Sequence, residues 1–192
     1  MIHIFVNKLL TPMALRSIVY KAVLQVSDMD RQYYAEHPLT IARHPSETEE
    51  RVMVRVLAFA LHAEEHLVFG RGLSADDEAD IWSLDLTGAI TLWIDVGMPD
   101  ERLIRKAAGR SDQVVLYLYG RSADVWWTQH KSALAKISNL SVYRFGVEET
   151  LALAELAQRT MQVQCTIEDN EIWVTTGDAA VRVERELLQK AR

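Results

Sequence analysis

Carboxylates are the residues of this chain whose spacing most readily does chemistry. Asp76, Asp77, Glu78 and Asp80 crowd into one acidic bend, and Asp95 follows fifteen positions after Asp80 at the end of the apolar run ITLWID. An ionised group ending a buried strand has to be solvated, hydrogen-bonded or bound to a cation, because leaving it unpaired among apolar groups is costly. Mg²⁺ takes hard oxygen ligands and keeps several waters, so two or three convergent carboxylates suffice to hold it. Glu50 supplies a third: at about 100° per residue it falls within about 40° of Val54, Leu57 and Leu61 and faces the apolar side of its helix. Glu47, Arg51, Arg55, His62 and His66 form the opposite polar stripe, expected in solvent. Arg102, Arg105, Lys106 and Arg110 give a later helix a basic side able to meet phosphate or pair with carboxylates.

The same residues have plainer structural readings. Asp76, Asp77 and Glu78 suit a solvated turn and are set outside the core of the site. Asp95 can accept backbone hydrogen bonds at its strand end and Asp80 can cap a turn, while Glu49 reads as a capping residue and Glu50 can simply favour the positive end of its helix. Arg43 and His44 read as structural. His62 and His66 are an i, i+4 pair without the glutamate of a zinc protease motif, Ala63 standing in its place. Trp126 and Trp127, adjacent on a helical stretch, suit a core or interface better than base stacking. Cys165 reads as a small buried residue.

The elements that must position these groups follow from periodicity. IVYKAVLQV over 18–26 alternates apolar and polar and predicts a half-buried strand, paired in a hairpin with a short strand over 39–43. Ser46 with Glu49 three positions on makes a capping box for a helix over about 47–65. Short strands are expected near 67–69, 80–84 and 89–96, and Pro99 suits the first turn of a helix reaching about 108. QVVLYLY over 113–119 is too apolar for a solvent-facing strand and belongs mid-sheet. A helix, a strand and a helix follow, and MQVQCTIE with EIWVTT, separated by Asp169 and Asn170, predicts a β-hairpin. Strands alternating with helices indicate an α/β or α+β sheet. Residues 1–12 read as an N-terminal extension with Met13 as an alternative start, and 13–192 as a single domain.

Composition bounds the function classes. The 192 residues, 49% hydrophobic and 25% charged, suit one globular domain with its own core. No apolar run approaches the roughly 20 residues of a membrane span. A formal charge of −6 disfavours coating nucleic acid through bulk charge, though it leaves a local basic patch open. One cysteine points to a reducing cytoplasm. No Gly-rich phosphate loop is present, so ATP and NAD are not expected.

The strings RHPSETEERVMVRVLA, FGRGLSADDEADIW and LWIDVGMPDERLIRKA, with DVWW, NLSVYRF and TIEDNEIW, resemble the YaeQ family over nearly the whole chain from Met13 onward. The resemblance implies a variant of the PD-(D/E)XK restriction-endonuclease-like fold: a helix, a three-stranded meander, a helix and a further strand. It makes Asp80 the aspartate of the first motif half, preceded by Ala79 instead of proline, and Asp95 the acid of the second half. Glu50 matches the glutamate of the first helix, with Glu47 the second choice. Gly97 stands where the motif lysine is usual, and Lys106 is the nearest candidate for a migrated lysine. The implied function is a cytoplasmic, Mg²⁺-dependent nuclease acting on nucleic-acid phosphodiesters, with Asp80, Asp95 and Glu50 at the metal. A different class stays open: a non-catalytic binding or regulatory protein on the same scaffold, linked to a protein partner or the transcription elongation machinery. A third is a scaffold that recruits a protein through an exposed aromatic face at Trp126 and Trp127.

Overall fold

A computed structural model describes residues 17–71 and 78–192. Asp76, Asp77 and the 1–12 extension with its alternative start lie outside them. In chain order the elements are β1 (Ile18–Asp28), β2 (Tyr33–Arg43), α1 (Glu49–His62), β3 (Leu67–Phe69), β4 (Ile81–Leu84), β5 (Ile90–Val96), α2 (Glu101–Ala108) and β6 (Ser111–Leu118). Then come α3 (Ala123–Leu134), β7 (Leu140–Phe145), α4 (Val147–Glu155), β8 (Thr160–Glu168), β9 (Glu171–Thr176), β10 (Ala179–Val183) and β11 (Arg185–Gln189). They form two mixed sheets, one of five strands ordered β10-β9-β8-β1-β2 and one of six ordered β11-β7-β6-β5-β4-β3.

Side-chain alternation in the six-stranded sheet divides the interior. Val115 and Tyr117 of β6 join the larger core with β1, β8, β9 and α1, whereas Val114, Leu116 and Leu118 join a second core with Ile104 of α2 and Leu134 of α3. Such a strand is buried on both faces, which is why QVVLYLY lacks a polar side. The larger core holds α1 between the two sheets, and every residue from Val52 to Leu61 is buried. Helix α1 therefore has no broad solvent face. The expected solvated stripe is corrected accordingly: Glu47 and Arg55 are buried, and the Arg51 side chain is only 15% exposed.

The helix also starts later than expected. Thr48, not Ser46, is its N-cap, and the Thr48 side chain accepts from the Arg51 N–H at 3.2 Å. Ser46 instead meets His44 Nδ1 at 2.7 Å. Strand β2 reaches back to Tyr33, a longer strand than the sequence marked, because Pro38 sits on the sheet's free edge where its missing N–H costs no ladder bond. The tight turn at Asp169 and Asn170 is as expected, with φ of 52° and 65°.

Candidate carboxylate site

Asp80 and Asp95 are brought together by the β3–β4–β5 meander. Asp80 immediately precedes β4, Asp95 lies near the end of β5, and antiparallel pairing of Ile81 with Ile94 sets them side by side. The Asp80 N–H donates to Asp95 Oδ1 at 3.1 Å, and the Trp93 indole donates to Asp95 Oδ2 at 2.8 Å. The Asp80 carboxylate accepts the Val96 N–H at 2.8 Å. At the other side of the meander the Gly70 N–H donates to the Asp80 carbonyl at 3.0 Å, and a Cβ on Gly70 would lie 2.0 Å from the Ala79 carbonyl oxygen. Only glycine permits that approach. Burial and the neighbouring Asp80 push the Asp95 carboxyl up to about 6.

Arg51 of α1 organises the charges around this pair. Its Nη2 donates to both Asp80 oxygens, at 2.7 and 2.9 Å, its Nη1 to the Val96 carbonyl at 2.5 Å, and its Nε to Glu47 at 2.7 Å. Burial works against the Arg51 charge, but Asp80 and the Glu47 hydrogen bond more than offset it and hold the pKa above its ordinary value. Nη1 also lies 3.3 Å from where a Cβ on Gly97 would stand, with Tyr119 Cε1 at 3.7 Å from the same point. A side chain at 97 would thus run into the Arg51 guanidinium. One turn along, the Arg55 side chain is fully buried, with Nε 3.6 Å from Asp80 Oδ1 and its guanidinium over the Phe69 ring. Burial lowers its pKa against the pull of Asp80. Among the described residues its Nε and Nη2 have no hydrogen-bond partner. Neither arginine was assigned to the site by sequence; the signal available was that both lie on a helix too apolar to have a solvent side.

The family described as YaeQ protein matches residues 13–185. The chain belongs to the YaeQ family. It is 47% identical over 164 residues to the YaeQ protein of Salmonella typhi and 44% identical over 164 to that of Escherichia coli (strain K12), each covering 85% of this chain and 91% of the relative. Crystal structures of YaeQ proteins superpose closely. That from Xanthomonas axonopodis pv. citri has a TM-score of 0.87 at 47% identity, covering 92% of this chain and 100% of the other. That from Pseudomonas syringae has a TM-score of 0.88 at 34% identity, covering 92% and 98%.

The remaining expected residues of this YaeQ chain lie as follows. Glu50 is half-buried and turns to α4, accepting the Thr150 hydroxyl at 2.6 Å. Its charge still reaches Tyr119, whose phenol also feels Asp80 and Arg51 but whose pKa is raised chiefly by burial. Lys106 is exposed on α2. Among the described residues no three His, Cys, Asp or Glu side chains gather as metal ligands. Glu78 pairs with Arg71, as a turn carboxylate does. Trp126 and Trp127 are partly buried against the second core, and Cys165 is buried. No helix among the described residues is long and apolar enough to cross a membrane.

Proposed function

We propose that this protein is a metal-dependent nuclease-like protein of the PD-(D/E)XK type acting on nucleic-acid phosphodiesters, with Asp80 and Asp95 at its centre. The observation that carries the reading is the meeting of these two carboxylates at one end of the β4–β5 pair, close enough that Asp95 feels the Asp80 charge. The order α1, meander β3–β4–β5, α2, and β6 parallel to β5 supports the fold placement.

Asp80 and Asp95 fit Mg²⁺, because that ion needs only one or two carboxylates and completes its shell with water and phosphate oxygens. Mg²⁺ held there would supply Lewis-acid stabilisation of charge on a phosphoryl oxygen. Glu50, turned to Thr150, ties α1 to α4 and sits outside the pair in this arrangement. Arg51 places a guanidinium beside Asp80, its Nη2 donating to both oxygens of that carboxylate. Lys106, exposed on α2, is the residue this reading assigns to a phosphate backbone.

The test is cleavage of single-stranded, duplex and branched nucleic acids with Mg²⁺ or Mn²⁺ by wild type, Asp80→Asn, Asp95→Asn and Lys106→Ala. A loss of about a hundredfold or more in both aspartate variants is expected, on the scale of removing a principal electrostatic group. Cleavage that survives both substitutions removes the reading.

A second reading rests on a specific observation: Asp80, Asp95, Glu50 and Glu47 each already accept a hydrogen bond from the protein. A network so satisfied also suits a non-catalytic binding or regulatory protein on the same scaffold, including one that meets transcription machinery. Binding of nucleic acid or a protein partner by a preparation without cleavage is the outcome that selects it.

A further inference from the structure

Asp80 has two claimants. A cation that ligates its carboxylate must approach oxygens that Arg51 Nη2 already contacts at 2.7 and 2.9 Å, one of which also accepts the Val96 N–H. The rest of the guanidinium is anchored elsewhere, by Nε on Glu47 and Nη1 on the Val96 carbonyl. Nη2 is therefore the one arm whose contact is with the carboxylate pair; because the guanidinium is planar and rigid, it leaves Asp80 only by a pivot of the whole group that also stretches the Nε and Nη1 contacts.

Two further features make that exchange workable. Arg55 lies behind Asp80, its side chain fully buried, its Nε 3.6 Å from Oδ1, and its Nε and Nη2 without a hydrogen-bond partner among the described residues. An orphaned buried donor is costly, so a shift of a few tenths of an ångström that gives Arg55 a bond to Asp80 is favourable once Arg51 lets go. Gly97 puts no side chain against Nη1, where a Cβ would lie 3.3 Å away, and Tyr119 borders the same point.

We propose that Arg51 is a resident counter-charge that competes with a divalent cation for Asp80, so that cation binding turns the guanidinium away from Asp80 to face the anionic group the cation recruits. This rests on the carboxylate site proposed above and adds its regulation: the guanidinium closes Asp80 until a cation takes it, and Arg55 holds Asp80 in place through the exchange. A purely structural ion pair makes a different prediction, because removing it would loosen the site without favouring a cation.

The experiment is calorimetric titration of Mn²⁺ into the full chain as wild type, Arg51→Gln and Asp95→Asn, with circular dichroism confirming that each is folded. Arg51→Gln is expected to bind Mn²⁺ about tenfold tighter than wild type, a typical coupling between competing groups, while Asp95→Asn loses binding. If wild-type binding depends on Asp95 but Arg51→Gln binds no tighter, the competition is refuted and the site stands. If binding ignores Asp95, or neither wild type nor Arg51→Gln binds, the site falls and the competition with it. A second measurement uses wild type alone: the ¹⁵Nε–¹Hε resonance of Arg51 is expected to move with Mg²⁺ and saturate with the calorimetric affinity. A resonance that stays fixed while Asp95-dependent binding proceeds overturns the proposal.

Discussion

Gly97 shows how one residue's identity is set by a neighbour far away in sequence. Its φ is 98°, a conformation that L side chains rarely adopt, and a Cβ there would press on Arg51 Nη1 at 3.3 Å. Gly97→Lys, which would restore a lysine where the resemblance leads one to look for it, is therefore expected to destabilise the fold by roughly 1–3 kcal/mol from strain and overpacking. It should also weaken the Arg51 contact to Asp80. Chemical denaturation checks the first effect. A Gly97→Lys protein as stable as wild type would show that the space is larger than the Arg51 position implies. Asp95 was legible in sequence because a carboxylate at the end of an apolar strand is conspicuous, whereas Asp80 was raised only by its conjunction with Asp95 and by the family resemblance. Arg51 and Arg55 were not legible, because the helical wheel assumes one solvent side, and α1 lies between two sheets. Glu50 was placed on the correct, inward side, yet its bond goes to Thr150, a residue one hundred positions away that no local pattern connects to it.

Elements matter here through the joints that hold them. The β3–β4 joint depends on Gly70, where an added methyl would meet the Ala79 carbonyl oxygen at 2.0 Å. Because that oxygen belongs to the backbone just before Asp80, Gly70→Ala is expected to cost about 3 kcal/mol, the upper part of the overpacking range, and to displace Asp80 from Asp95. Unfolding in urea measures the first, and loss of Asp95-dependent cation binding the second. The start of α1 depends on Thr48, and Thr48→Ala should cost about 1 kcal/mol as a lost N-cap without altering the carboxylate pair. A Ser46→Ala change, which removes only an exposed contact to His44, should cost less, and the reverse ranking would return the cap to Ser46. The sequence located most of the elements from β1 to β9, since each carries a clear period or a turn pair such as Asp169–Asn170. It missed β10 and β11, short strands that are mostly exposed or only half-buried, whose pairing is decided by β9 and β7 and not by their own pattern. It also missed the back half of β2, where Pro38 masks an edge strand.

For the molecule as a whole, two half-buried titrating groups tilt stability in opposite directions with pH. His62 donates to or accepts from the Tyr117 hydroxyl at 2.8 Å, and burial pushes its pKa down to about 3. A depressed histidine contributes stability that is full above its unfolded value near 6.5 and is lost as pH falls toward 3. Asp95, raised to about 6, does the reverse: its contribution is full below its unfolded value near 3.8 and is lost as pH rises through 6. Between pH 7 and 5 His62 therefore costs about 2 kcal/mol and Asp95 returns about 1, using about 1.4 kcal/mol per pH unit. Wild type should lose only about 1 kcal/mol over that interval. Asp95→Asn, which keeps a polar group for Asp80 and Trp93 but cannot titrate, should lose about 2 kcal/mol, whereas His62→Gln should gain stability on acidification. Urea unfolding of the three proteins at pH 7 and pH 5 separates these slopes. If His62→Gln weakens on acidification as steeply as wild type, the acid sensitivity lies elsewhere than in the helix that the two sheets enclose.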